Sequence, residues 1–264
     1  DKPVYVQYGM WLIKAFTGDL GYSFAYKQPV SAVIGTRLLN TLILNLLAVL
    51  LTWMVAIPIG IYASVRQYST RDKLLSAVSF VGMSLPSFFS GLILLYILAS
   101  VLGVLPPGGM YSIDFARMPP GEKVVDVARH MVIPVIVLAL AAMASLQRIT
   151  RGNMLEILGQ QYIRTARAKG LSERRVVYKH ALRNALNPLI TIFGYEFGAL
   201  LSGSALLEII LDYPGLGSLM YTAVRSQDQF LVMGGFMMGA VMLLVGNLLA
   251  ELLLAWVDPR ISYQ

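Results

Sequence analysis

The chain has 264 residues, of which 57% are hydrophobic and 13% are charged, with 21 Lys and Arg against 14 Asp and Glu. A soluble domain carries about 25% charged residues, so this chain has too little polar surface to cover an ordinary soluble core, and its apolar content excludes a disordered one. Cysteine is absent and His130 and His180 are the only histidines, which excludes disulfides, thiolate metal sites, iron–sulfur clusters and cysteine nucleophiles, and no metal site is expected.

Residues 1–37 are mixed in composition, lack a signal-peptide pattern, and are expected to lie outside the cytoplasm without spanning. Leu38–Ala63 follows, with 26 residues and no charge; a bilayer core needs roughly 20 helical residues. Further apolar runs cover about 74–105, 131–147, 186–207 and 230–257, the last two interrupted only by Glu196 and Glu251. The expected fold is all-α: a polytopic membrane helical bundle with five visible spans. Pro58 and Pro86 fall inside the first two runs and are expected to kink them. Between the runs, Arg66–Lys73 reads as a short turn. Gly103–His130, with Pro-Pro-Gly-Gly at 106–109 and Pro-Pro-Gly at 119–121, reads as irregular. Asp212–Gly217 (DYPGLG) reads as a turn leading into a re-entrant or surface helix.

The charges sort by side. Arg66–Lys73, Arg148–Arg183 and the tail 258–264 carry 13 Lys and Arg against 4 Asp and Glu, whereas the connections on the other side carry 8 against 7. Net charge is about +9 on one face and +1 on the other, so the positive-inside rule makes the first set cytoplasmic. Glu196, Glu208 and Glu251 lie in or at the ends of spans.

The spans carry polar and small-residue stripes. Thr41, Asn45, Ala48 and Thr52 lie within about 60° of one another on a helix, as do Ser79, Met83, Pro86 and Ser90. Helix packing is the commoner role for such faces; Asn45, Ser90 and Glu196 are the candidates for lining a path. Gly194, Gly198 and Ser202 form a seam with Glu196 on the far side. Gly235, Gly239, Gly246 and Ala250 form another, beside Asn247 and Glu251. An intramembrane acid should face protein or water.

The cytoplasmic segment 151–183 is basic and reads as helical. Gln161–Lys169 forms one short helix, Gly170 breaks it, and Ser172 caps a second. Arg175 at the third position after Ser172 leaves the capping box incomplete. The segment is either a solvated loop or a docking surface. Its small residues Ala166, Ala168 and Gly170 suit close approach of a partner, and Arg164, Arg167 and Lys169 suit acidic groups on one. The same cations also serve to fix topology at anionic headgroups.

The stretch YIRTARAKGLSERRVVYKHALRNALNPL, 162–189, closely resembles the cytoplasmic signature of ABC-importer permeases, the EAA loop. Its general form is Glu-Ala-Ala, three residues, Gly, nine residues, Ile-x-Leu-Pro. Gly170 occupies the glycine and Ala166 the second alanine, while Arg164 and Thr165 replace the first two letters. His180 and Leu182 fall at the Ile and Leu places, and Arg183 replaces the proline. These departures match the branch that imports dipeptides, oligopeptides, glutathione and nickel, as do GDLGYS at 18–23, YPGLG at 213–217 and DPRI at 258–261. Members of that branch carry a membrane helix ahead of the region equivalent to Asp1, so a sixth span is expected upstream.

The resemblance implies a type I importer subunit of the inner membrane, with loop 148–185 and the C-terminus cytoplasmic. A second, related permease would complete the path, two ATPase subunits or domains would drive it, and an extracytoplasmic binding protein would deliver substrate. Arg164, Thr165, Ala166, Arg167, Ala168, Lys169 and Gly170 would form the coupling helix and its end. The chain has no G-x-x-x-x-G-K-[ST] stretch. It is expected to be no enzyme and to bind no cofactor, with ATP and Mg held by the partner ATPases. Peptide is the expected substrate, with nickel and glutathione as alternatives. An ion-coupled secondary transporter using Glu196 and Glu251 is the rival class. A membrane enzyme is disfavoured because His130 and His180 fall near opposite faces, and nucleic-acid binding because topology already accounts for the positive charge.

Overall fold

In a computed structural model the chain is mainly helical. The structure describes residues 2–189, 192 and 205–257. Contacts divide the chain into two compact units, Asp1–Asn45 with Gly91–Pro134 and Gly198–Val245, and Leu46–Ser90 with Val135–Phe197 and Gly246–Gln264.

Helix α1 (Val4–Phe16) and a two-residue hairpin, β1 (Tyr22–Ser23) and β2 (Gln28–Pro29), precede the long helix α2 (Val30–Val65). Tyr22 pairs antiparallel with Pro29. Then come α3 (Thr70–Ser84), α4 (Ser87–Leu95) with a π-helical turn Tyr96–Val101, and α5 (Pro120–Leu158). The short helices α6 (Gln161–Ala168), α7 (Glu173–Arg175) and α8 (Leu182–Ala185) follow, the last two joined by a π-helical stretch Val176–Ala181. After the undescribed segment come α9 (Ala205–Ile210), α10 (Leu216–Arg225) and α11 (Gln229–Val257).

Among the described residues two helices, Val30–Val65 and Gln229–Leu249, are long and apolar enough to cross a membrane, with mean hydropathies of 2.4 and 1.9. Two bent pairs bring the number up to four if each pair is one span: Thr70–Gly82 with Ser87–Val101, and Pro120–Leu140 with Ala142–Leu158. The expected fourth run, 186–207, lies mostly outside the described residues, as does the tail 258–264. Pro58 stays inside a continuous α2. Pro86 ends a helix: Leu85 before it is extended, at φ −92° and ψ 126°, because the proline ring crowds the α conformation of its predecessor. The irregular connection expected over Gly103–His130 is shorter than its Pro and Gly content suggests. Pro120 opens α5, at a first helical position where its missing N–H has no helical partner to lose.

The first unit packs Val30, Ile34, Leu216, Leu219 and Leu231 against Trp11 and Leu20. Trp11 also donates its indole N–H to the Leu20 carbonyl at 3.0 Å. Asp228, 1% exposed, is the N-cap of α11: its Oδ1 accepts from Leu231 N at 3.2 Å. Its Oδ2 accepts from the Ser23 hydroxyl at 2.6 Å and from Ala25 N at 3.0 Å. Burial pushes this carboxyl up, but these donors outweigh burial and hold it below its ordinary value of 3.8.

In the second unit Ile61, Met154, Ile163, Val176 and Val177 form one core, and Ala56, Leu146 and Leu189 another. Ser69 caps α3, accepting from Asp72 N at 3.2 Å, while Asp72 Oδ2 accepts from Tyr68 N at 2.9 Å. Asp72, 3% exposed, is also gripped by the Arg151 guanidinium through two bonds of 3.0 Å. That fork ties the turn between α2 and α3 to α5.

Two outcomes follow. Asp228→Ala leaves buried N–H donors unpaired and is expected to cost about 1–3 kcal/mol, read as a lowered unfolding midpoint in detergent. Because the folded carboxyl titrates below 3.8, its stabilisation is complete above that pH and disappears as pH falls through the folded value. For Asp72 and Arg151, a double-mutant cycle is expected to give a coupling of about 1.5 kcal/mol. That is the low end for a charged hydrogen bond, because the Arg151 side chain is 25% exposed and solvent screens it.

Candidate functional site

Helix α6 buries two residues. Ile163 is fully buried and Ala166 is 8% exposed; both belong to the core with Ile61, Met154, Val176, Val177, Ala181 and Ala185. Arg164, Thr165, Arg167, Ala168 and Lys169 are exposed, as is Gly170 after the helix. The i, i+3 spacing of Ile163 and Ala166 gives a narrow inner edge, and the rest of the helix is presented outward. Ala166 is thus turned towards the chain's own core, while Ala168 supplies the small residue on the outer face.

The end of α6 is sharp. Gly170 has φ +76°, donates its N–H to Arg167 O at 2.9 Å, and is followed by Leu171, whose N–H reaches Ala166 O at 3.4 Å. This paired pattern is the Schellman motif, which needs a left-handed residue at the position Gly170 fills. Leu171 packs on the same core as Ala166, supplying the apolar contact that accompanies the motif. Across the turn, Arg167 grips Glu173 with a two-pronged contact, Nη2 to Oε1 at 2.7 Å and Nε to Oε2 at 3.1 Å. The pairing raises the Arg167 pKa and lowers that of Glu173, burial opposing both. Ser172 is extended, at ψ 142°, at the start of α7, but its side chain makes no capping hydrogen bond. Asn184 Nδ2 donates to Tyr162 Oη at 2.9 Å, tying α8 back to α6. The result is a helix–turn–helix knuckle on a rigid apolar seat.

The other sequence-derived candidates scatter. In the first unit Thr41 and Asn45 are 1% and 4% exposed; in the second Ala48 and Thr52 are 5% and 1%. The Thr41 hydroxyl accepts from Leu216 N at 2.7 Å, and that of Thr52 reaches Ala139 O at 3.4 Å. The stripe is packed within the chain itself. The Ser79 hydroxyl meets the Gln147 side chain, and Ser90 bonds back to Pro86 O at 3.4 Å. Glu196, with the seam Gly194, Gly198 and Ser202, lies outside the described residues. In α11, Gly235 and Gly246 are buried while Glu251 is exposed.

One polar centre escaped the sequence reading. Glu208 is 1% exposed; its Oε1 faces the Thr41 hydroxyl at 3.3 Å and its Oε2 accepts from Ser218 N at 2.8 Å. A Cβ at Gly215 would stand 2.4 Å from the Glu208 carboxyl carbon, so the DYPGLG glycine makes room for the acid. Glu208 lines a cavity of about 290 Å³ with Arg37, Asp212 and Tyr213. The clue in the sequence was an acid just before a Pro-Gly turn.

Comparison with known proteins decides the family. The model of the binding-protein-dependent transport system inner membrane component matches residues 56–263. The chain belongs to this family. It is 44% identical over 264 residues to the oligopeptide transport system permease protein AppB of Bacillus subtilis, covering 100% of this chain and 82% of that protein. It is 36% identical over 280 residues to the dipeptide transport system permease protein DppB of Escherichia coli K12, covering 100% and 83%. Among solved structures, an inward-facing form of the MetNI methionine ABC transporter aligns with TM-score 0.67 at 15% identity, over 86% of this chain and 96% of the other. That likeness establishes the fold: the type I importer permease bundle. The chain is therefore an ABC-importer permease subunit.

In this permease the knuckle depends on the left-handed turn. Gly170→Ala meets no neighbour within 4 Å, so its cost is purely conformational, about 1–2 kcal/mol. Hydrogen-exchange protection at Lys169–Leu171 is expected to fall roughly 5- to 30-fold, and Gly170→Asn to fall less, since Asn tolerates the left-handed region better.

Proposed function

We propose that this permease is the peptide-importing half of an ATP-driven transporter and that the α6 knuckle is where it engages its ATPase. A second, related permease completes the path. Two cytoplasmic ATPases hold ATP and Mg and do the hydrolysis, and an extracytoplasmic binding protein delivers di- or oligopeptides. Loop 148–185 and the C-terminus are cytoplasmic, on the strongly positive face. The names of the curated relatives, oligopeptide and dipeptide permeases, support the peptide assignment.

The observation that carries the coupling role is the division within α6. Ile163 and Ala166 anchor it, while Arg164, Thr165, Arg167, Ala168 and Lys169 face outward. A rigid, short, outward helix transmits a push from a partner without absorbing it. ATP-driven closure of the ATPases displaces α6, the core behind it follows as one body, and the path switches between inward and outward access. Arg164 and Lys169 are exposed cations suited to acidic groups on the partner; Arg167 is engaged with Glu173. Ser90 and Glu196 are the residues proposed for the path; Asn45, 4% exposed, packs within the chain instead.

Ala168→Arg tests this. The position is exposed and helical, so the subunit is expected to fold. Peptide uptake into proteoliposomes with binding protein and ATP should fall at least about tenfold, equivalent to roughly 1.4 kcal/mol, with weaker co-purification of the ATPase. Normal uptake and normal assembly would overturn the coupling role. Competition by unlabelled dipeptide, but not by nickel or glutathione, is the result expected for a peptide importer.

A further inference from the structure

We propose that the segment following the knuckle carries a binding site for the phosphate of an anionic phospholipid headgroup. A concave basin of about 900 Å³ opens there, and its walls include Arg174, Arg175, Lys179, Arg183, Tyr162 and Tyr178. It goes beyond the coupling role, which rests on Arg164, Ala168 and Lys169 at the outer face of α6, none of which lines the basin.

Charge is the first argument. No acid lines the basin. The neighbouring acid, Glu173, is spent on Arg167. None of the four cations forms an ion pair with a described residue. Four cations held together with no described acid to neutralise them repel one another, and a bound anion removes that repulsion.

Backbone geometry is the second. Val176–Ala181 is π-helical, a rare form often found at functional sites. Its i→i+5 bonding brings residues five apart nearer to one face than an α-helix would. The stretch carries Tyr178 and Lys179, with Arg174 and Arg175 of α7 before it and Arg183 of α8 after it. The same stretch buries Val176, Val177 and Ala181 on its other side, so the basin wall is anchored. The bond from Asn184 to Tyr162 braces the rim.

Position selects a lipid. Arg183 lies three residues before Leu186, where the fourth apolar run begins, and Lys179 seven. At 1.5 Å per helical residue these are roughly 5 and 10 Å from the membrane edge, within reach of headgroups for long snorkelling side chains. Tyr162 and Tyr178 are 43% and 57% exposed, and tyrosines favour this interfacial depth. A basic basin at the cytoplasmic edge of membrane helices is the arrangement that takes acidic headgroups.

The test uses the assembled transporter, purified from mixed micelles of phosphatidylglycerol and phosphatidylcholine. Retained lipid is measured by extraction and mass spectrometry. Wild type is expected to retain phosphatidylglycerol preferentially. The preference should fall about fivefold for each cation removed in Lys179→Gln and in Lys179→Gln with Arg183→Gln, and Lys179→Arg should restore it. Arg66→Gln, an exposed cation on the same face outside the basin, should leave it unchanged. Unaltered preference in the double variant overturns the proposal. So does equal competition by free inorganic phosphate, which marks a soluble-anion site. Loss of the ATPase from the double variant with lipid preference intact also overturns it, because the basin is then a protein interface. If a double variant fails to assemble, Arg174→Gln with Arg175→Gln, on the opposite wall, gives the same reading.

Discussion

In a chain this apolar, backbone N–H groups freed where a helix starts or a connection folds back are costly to leave unpaired. Among the described residues four buried acids provide that pairing. Asp72, Asp126, Glu208 and Asp228 are between 1% and 9% exposed, and each accepts from a backbone N–H where a helix begins or a connection folds back. Asp72 takes Tyr68 N, Asp126 takes Ser112 N, Glu208 takes Ser218 N, and Asp228 takes Ala25 N and Leu231 N. A carboxylate suits the task because it offers several lone pairs and needs no donor of its own. These four acids punctuate the fold from inside it, while the other described acids, Glu122 and Glu156 among them, are exposed.

The same need explains which parts were legible in the sequence. The long apolar helices were visible because their composition alone fixes them. So was the end of α6, where the small-residue stretch stops at Gly170 and only a left-handed residue continues the chain. The interactions that fasten these pieces were not. Ser23 and Asp228 are 205 residues apart, and Asp72 and Arg151 are 79 apart; no local pattern announces either pair. Ser69 with Asp72 three residues later did carry a local sign, the opening of a capping box. It marks the start of α3 at Thr70, inside the stretch Arg66–Lys73 that reads as a turn, and says nothing of the arginine. Helix α5 begins earlier than its Pro and Gly content suggests because proline marks a helix start as readily as a loop.

Glu208 and the DYPGLG turn show how one constraint propagates. The acid takes Ser218 N in α10 and faces Thr41 in α2, which in turn accepts Leu216 N. Tyr213 closes the ring by donating to Asn40 O at 2.9 Å. Three elements of the first unit are thus tied through one buried carboxylate, and Gly215 is required because any side chain there would strike it. The polar positions of α2 that suggest a water-filled path, Thr41 above all, are used first for holding helices together.

Ala166 carries the corresponding lesson for the coupling loop. Its small size invites the reading that a partner approaches it closely. Yet its side chain points into the chain's own core, and its carbonyl receives the Leu171 N–H that completes the Schellman turn. A larger residue there would lift α6 off Val176 and Val177 and open the turn at Gly170. The spacing of alanine and glycine in the loop is therefore explained without a partner: it makes a short helix rigid and stops it abruptly. What a partner would read is the outer face that this rigidity presents, Arg164, Ala168 and Lys169. The inner residues fix where that face stands, and the outer ones are free to match whatever stands against it.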